Sequence, residues 1–243
     1  MDEAIVDDET LNRDCDLLRS LHVPGRPLVL PNAWDAASAR AVVTAGFPVV
    51  ATTSAGVAES LGYADHEGAP AAEMLAAAAR IRRAVDAPVT VDAEAGYELD
   101  PATLVGELRR VGAAGCNLED SVPATGAQRD PGEQAEWIAA VRAAADAVGY
   151  RLVINARIDD YIREIVARLK SGESPLTGQE HHLAAAVDRA HRYLAAGADC
   201  VYPIGLHQAD QIAAFVQEAD GRVNLAPIPG AGSPAELAGA GIA

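Results

Sequence analysis

The feature that most constrains this chain is an alternation. Short β-branched runs recur at 27–31, 49–53, 88–92, 115–118, 152–155, 200–203 and 222–226, with Ala-rich stretches of helical spacing between them. The spacing predicts helices over Ala36 to Thr44, Ala71 to Val85, from Asp100-Pro101 onward, over Gly132 to Val148, Tyr161 to Lys170 and His181 to Ala196. Asp35 stands where an N-cap belongs, Gly46 where a left-handed residue ends a helix, and Pro101 at a first helical position. The stretch after the second run reads as a long loop, and Ser171 to Gly178 as a polar one. Seven such units call for an α/β fold with a parallel sheet and helical crossovers, and a (β/α)8 TIM-type barrel is the leading architecture. A doubly wound open sheet is the alternative, but no GxGxxG turn follows the first strand. Thr10 to His22 reads as an amphipathic helix closing the barrel bottom, and no shift in composition breaks residues 1–243 into more than a single domain. A short helix from Ser233 to Ala240 stops at Gly241-Ile242-Ala243, where strand eight would begin, so strand eight and the terminal helices are expected to be lacking, as in a truncated barrel.

Composition narrows the partners. Lys+Arg 19 against Asp+Glu 35 gives a formal charge of −16. That balance excludes the basic footprint needed by nucleic acid and disfavours an anionic membrane surface. Cys15, Cys116 and Cys200 are far apart and form no CxxC pair, so neither a disulfide framework nor a thiolate zinc site is expected. Cys116 reads as a small core residue, Trp34 and Trp137 as packing anchors. No apolar stretch reaches membrane-spanning length and the acidic start has no signal-peptide character, so the expected location is cytoplasmic.

Barrel chemistry sits at the C-terminal ends of strands. Strand three runs into Asp92-Ala93-Glu94, whose carboxylates are two residues apart and share one side of an extended chain. Strand four ends in Glu119-Asp120 and strand five in Arg157-Ile158-Asp159. Strand two leads to Thr53-Ser54-Ala55-Gly56, small enough for backbone N–H groups to meet an anion, and the loop continues to Asp65-His66-Glu67. Acidic strand ends suit a hard divalent cation, Mg²⁺ first, and an arginine suits a substrate carboxylate. Together they fit a reaction that builds an oxyanion such as an enolate. Asp120 and Asp159 also read as helix caps or supporting partners. His181, His182 and His191 read as helix surface, His22 and His207 as structural groups. His66 is the one histidine expected near the mouth, no His-x-x-His spacing supports zinc, and no Gly-x-Ser-x-Gly elbow supports a hydrolase.

The stretches LVLPNAWDAASAR (29–41), TTSAGVAESLGYADHE (52–67), VTVDAEAGY (89–97), GCNLEDS (115–121) and INARIDDY (154–161) resemble, in order, the isocitrate lyase/phosphoenolpyruvate mutase superfamily. The resemblance implies a Mg²⁺-dependent barrel, with Mn²⁺ as a substitute ion. Such a barrel makes or breaks a C–C or P–C bond in a small carboxylate through a pyruvate-enolate-like species. It also implies cytoplasmic homotetramers with a swapped last helix. Carried over by position, Asp92 and Glu94 match the acidic metal motif, Glu119 completes it through waters, and Asp65 matches the acidic residue after strand two. The Thr53, Ser54 and Ala55 backbone matches the carboxylate cradle, and Arg157 the arginine on the substrate's oxygens. Three departures stand out. Glu94 replaces an aspartate. The loop SVPATGAQRDPG (121–132) lacks the lyases' cysteine signature and the mutases' lysine. Tyr202-Pro203-Ile204-Gly205 replaces a substrate-contacting His and Ser. The combination is most similar to the branch holding oxaloacetate decarboxylases and related α-keto acid lyases, so a carbon–carbon lyase is expected. The mutases or a phosphonopyruvate hydrolase are the near alternative, and a non-catalytic metabolite-binding barrel the distant one.

Overall fold

A computed structural model of the chain describes residues 4–174, 177, 179–226 and 232–243. In chain order the elements are α1 (Asp8–Leu21), β1 (Asn32–Ala33), α2 (Ala36–Thr44), β2 (Val50–Thr52), α3 (Ser54–Leu61), α4 (Ala71–Arg83), β3 (Val89–Asp92), α5 (Pro101–Val111) and β4 (Gly115–Glu119). A small hairpin follows, β5 (Ser121–Val122) with β6 (Ala127–Gln128), then α6 (Pro131–Ala147), β7 (Val153–Ile158) and α7 (Asp160–Ser171). A 3₁₀ turn (Glu180–His182) precedes α8 (Leu183–Ala195), β8 (Cys200–Pro203), α9 (Ala209–Glu218) and α10 (Pro234–Gly239). The described residues fall into two compact units, those within 4–20, 29–118 and 139–154 in one and those within 21–28, 119–138 and 155–243 in the other.

In the first unit β1, β2, β3 and β4 pair in parallel in sequence order, and Val153 at the start of β7 donates to the Ala114 carbonyl. Helical crossovers cover the sheet, so the strands are buried along their length and read as near-continuous apolar runs. Asp35 caps α2 with a reciprocal Ser38 bond, and Asp100 caps α5 ahead of Pro101, as their positions predict. The amphipathic helix α1 buries Leu11, Cys15 and Leu18, and its Asp14 pairs with Arg82 at 2.7 Å in the interior.

In the second unit β7 pairs in parallel with β8, from Asn155 opposite Cys200 to Ile158 opposite Pro203. Beyond β8 the backbone at Val223 makes a single parallel bridge to Val201. The last residues pack here: Ala243 N–H donates to the Val223 carbonyl, Gly25 N–H donates to the Ile242 carbonyl, and Ile242 and Ala243 are buried.

Four expectations are corrected. The first strand is Asn32–Ala33 rather than 27–31, because Pro27 and Pro31 bracket the earlier run and offer no ladder N–H. The loop after strand two begins as helix α3, nucleated by Thr53 as N-cap. The seventh run forms the Val223 bridge and no longer ladder among the described residues. Trp34 is half exposed and anchors no core, whereas Trp137 is partly covered and carries the Arg129 guanidinium over its ring. Cys116 is a core residue as read, and all three cysteines are buried thiols outside any disulfide. Of the polar loop read over Ser171 to Gly178, residues 175, 176 and 178 lie outside the described residues, as do 1–3 of the acidic start. No described helix is long and apolar enough to cross a membrane.

Candidate functional site

In the first unit the chemistry gathers where β3 ends. Asp92 N–H donates to Thr52 Oγ1 (2.8 Å), and Asp92 Oδ2 accepts the Ser54 N–H (2.9 Å). The segment Thr53–Ala55 is therefore a helix N-terminus, where amides point outward without intrahelical partners. One of those amides, that of Ser54, is committed to Asp92 in this structure.

Two residues on, Glu94 is only 3 % exposed and holds a left-handed backbone (φ 48°). Its Oε2 accepts the Glu67 N–H, Glu67 Oε1 accepts the Tyr97 N–H (2.8 Å), and the Tyr97 hydroxyl donates to the Asp92 carbonyl (3.3 Å). His66, Glu67, Tyr97 and Glu98 are left-handed as well. Such conformations are costly for residues with a Cβ and concentrate where the surrounding structure enforces a site. Burial pushes the Glu94 carboxyl up to about 7, the charges of Asp92, Asp65 and Glu67 push the same way, and the Glu67 amide opposes them. This is an oxygen-only set of carboxylates that repel one another, the donor chemistry a hard divalent cation fits. The predicted residues Asp65 and Asp92 thus both bear electrostatically on Glu94. Glu67 and Tyr97, which lock Glu94, were not legible as partners, because nothing in a non-glycine residue type signals a left-handed backbone. His66 is exposed.

In the second unit the strand ends of β4 and β7 meet through Arg157. Its Nη1 lies 2.6 Å from Glu119 Oε2, and its Nε and Nη2 hold Asp159 at 2.6 and 3.0 Å. Ser121 Oγ donates to Asp159 Oδ2 (2.6 Å), and the Asp159 N–H donates to Asp120 Oδ1 (3.1 Å). Asp120 is fully buried. Its Oδ2 accepts the Tyr193 hydroxyl (2.8 Å), Arg189 Nη1 (3.1 Å) and Gln128 Nε2 (3.0 Å). Burial, then the charge of Asp159, pushes the Asp120 carboxyl up to about 6, against Arg189, Tyr193 and Gln128. The guanidinium is thus held by carboxylates that are themselves held. Asp159 occupies the N-cap position of α7, yet its side chain makes no cap bond and grips Arg157 instead. Arg189 and Tyr193, four residues apart on α8, were missed. Their legible signal is an arginine on an otherwise apolar helix face.

The model of the family described as phosphoenolpyruvate phosphomutase matches residues 18–243. An uncharacterized protein of Mycobacterium tuberculosis is 33 % identical over 212 residues, 86 % of this chain and 73 % of its own length. A Corynebacterium glutamicum protein assigned as 2-methylisocitrate lyase 1 is 34 % identical over 73 % of this chain and 55 % of its own. Oxaloacetate decarboxylase 1 of Pseudomonas fluorescens is 31 % identical over 74 % of this chain and 59 % of its own. Among solved structures, a phosphonomutase candidate from Burkholderia cenocepacia J2315 is 41 % identical, with a TM-score of 0.86 over 95 % of this chain and 91 % of that one.

Proposed function

The chain belongs to the phosphoenolpyruvate phosphomutase family, within the isocitrate lyase/phosphoenolpyruvate mutase superfamily of TIM-type barrels, and from that premise we propose a Mg²⁺-dependent carbon–carbon lyase. Its substrate is a small α-keto or 2-hydroxy carboxylic acid, cleaved through a pyruvate-enolate-like species. The observation that carries this reading is the buried Glu94 carboxylate facing the like charges of the half-buried Asp92, Asp65 and Glu67. Asp92, Glu94 and Glu119 are assigned to the ion, with Mn²⁺ as the substitute. Bound there, the ion supplies Lewis-acid stabilisation of developing enolate charge.

The chain's own residues do the rest. The outward amides of the Thr53–Ala55 turn receive the substrate carboxylate, for which the Ala55 N–H remains beside the committed Ser54 N–H. Arg157 orients the substrate's remaining oxygens, its fork held by Glu119 and Asp159. Asp65 adds negative charge that favours the cation. A cytoplasmic location and a homo-oligomer belong to the same reading.

The expected result is oxaloacetate decarboxylation, or cleavage of methylisocitrate or dimethylmalate, that EDTA abolishes and Mg²⁺ restores. Asp92→Ala should lose Mg²⁺ binding and turnover while keeping its circular dichroism. Turnover that survives chelation unchanged would remove the metal from the mechanism. The 41 % identity to the Burkholderia phosphonomutase candidate favours one second reading, phosphorus chemistry at the same residues. Phosphorus NMR with phosphonopyruvate and phosphoenolpyruvate separates the two: a new phosphorus resonance supports it, and unchanged spectra alongside keto acid cleavage dismiss it.

A further inference from the structure

The second unit holds another cluster of metal-binding side chains, and it is built differently. Glu164 sits in the second turn of α7, and His181 and His182 close the 3₁₀ turn before α8. Glu164 Oε2 lies 2.6 Å from His182 Nε2 and 3.2 Å from His181 Nε2. The three donor atoms fall within 4.8 Å of one another. Both imidazoles therefore present Nε2 to the same carboxylate oxygen.

The surroundings hold that arrangement. Arg168 Nε donates to the other oxygen, Oε1, at 2.7 Å, which fixes the carboxylate plane, and Arg168 Nη1 is engaged by Glu173 at 2.9 Å. The Tyr161 ring meets His182 edge-on, with centroids 5.6 Å apart. Burial would raise the Glu164 carboxyl, but the bonds from Arg168 and His182 and the nearby imidazoles outweigh it and hold it below the usual range. Glu164 and His182 line an open cavity of about 580 Å³, so one side of the cluster faces solvent.

We propose that Glu164, His181 and His182 form a binding site for a borderline divalent transition-metal ion, Zn²⁺ or Co²⁺ in class, with water completing the coordination from the cavity side. Two imidazole nitrogens and one carboxylate oxygen suit such ions, whereas Mg²⁺ prefers oxygens alone. Ligands at about 2.0 Å in a tetrahedron stand about 3.3 Å apart. His181 already has that spacing from Glu164 (3.2 Å), and His182 needs a side-chain withdrawal of about 0.7 Å from its hydrogen-bonded 2.6 Å. Adjacent histidines lack the familiar spacing of zinc motifs, and their carboxylate partner lies in the preceding helix, which is why the sequence alone argued against zinc. The ion would tie the start of α8 to α7. This site is independent of the Mg²⁺ reading.

The test is a Co²⁺ titration of the chelator-stripped protein in excess Mg²⁺, read by visible d–d absorption. A single equivalent should bind with an intense low-symmetry band that Zn²⁺ displaces. His182→Ala and Glu164→Gln should weaken Co²⁺ at least tenfold, and Asp92→Ala should leave the titration unchanged. His181→Ala changes a ring with 65 % side-chain exposure, so it should fold as the parent does and should also weaken Co²⁺ at least tenfold. The proposal is overturned if the parent shows no d–d band, if His181→Ala titrates like the parent, or if Asp92→Ala abolishes the band.

Discussion

At the scale of the residue, Glu94 carries a conflict that a titration can read. Its carboxyl is pushed from 4.5 up to about 7, foremost by burial and then by three carboxylate neighbours. Because the folded value lies above the unfolded one, its favourable contribution is complete below about pH 4.5 and is lost as the pH rises through 7. Asp120 is also raised, to about 6, so its own loss is largely over before that. In EDTA the melting temperature should therefore fall between pH 6 and 8, and Glu94→Gln should flatten that fall. Mg²⁺ should recover more stability in the parent at pH 8 than in the variant. Equal pH slopes in the two proteins would show that Glu94 does not titrate there. Much of this site was legible, since Asp92, Glu94, Glu119 and Arg157 announce themselves as charged residues ending apolar runs. Their partners were not. Glu67 reaches Glu94 through a left-handed backbone, and Asp120 is held by Arg189 and Tyr193 from a helix nearly seventy residues on.

At the scale of the element, caps and prolines explain both what was legible and what was not. Asp35, Asp100 and Ser233 each mark a helix start, and each accepts the expected amide. Helix α3 escaped because its cap is the last polar residue of a strand-like run and a glycine sits in its first turn. No periodicity could reveal the closeness of α1 to β4. A Cβ on Gly115 would stand 2.8 Å from Leu18 Cδ2, 2.9 Å from the Val153 carbonyl and 3.1 Å from Thr90 Oγ1. The Val153 carbonyl is backbone and cannot turn aside, so Gly115→Ala should cost about 1–3 kcal/mol of overpacking and lower the melting temperature by roughly 2–4 °C per kcal/mol. Gly106, inside α5, has nothing within 4 Å of its Cβ position. Gly106→Ala should raise the melting temperature, because alanine favours the helix by about 1 kcal/mol. Paired thermal melts check both signs, and a neutral Gly115→Ala would mean that α1 sits farther from the strand than described.

At the scale of the whole molecule, the repeating alternation made the parallel α/β class legible, but the charge shapes how it meets its ligands. A formal −16 attracts a divalent cation and repels an anionic keto acid. The assigned arginine does not reverse this locally, since Arg157 lies between Glu119 and Asp159, two carboxylates to one guanidinium. Raising ionic strength from about 10 mM to about 150 mM shortens the screening length from roughly 30 Å to roughly 8 Å. The two ligands should then respond in opposite senses. Mg²⁺ affinity, measured by calorimetry without substrate, should weaken several-fold with added KCl. The KM for oxaloacetate at saturating Mg²⁺ should fall over the same range, because the field opposing its approach is screened. If the two constants weakened together, the ion would be binding as part of a complex with the substrate. Arrival of that complex, rather than two separate encounters with an acidic surface, would then govern the salt dependence.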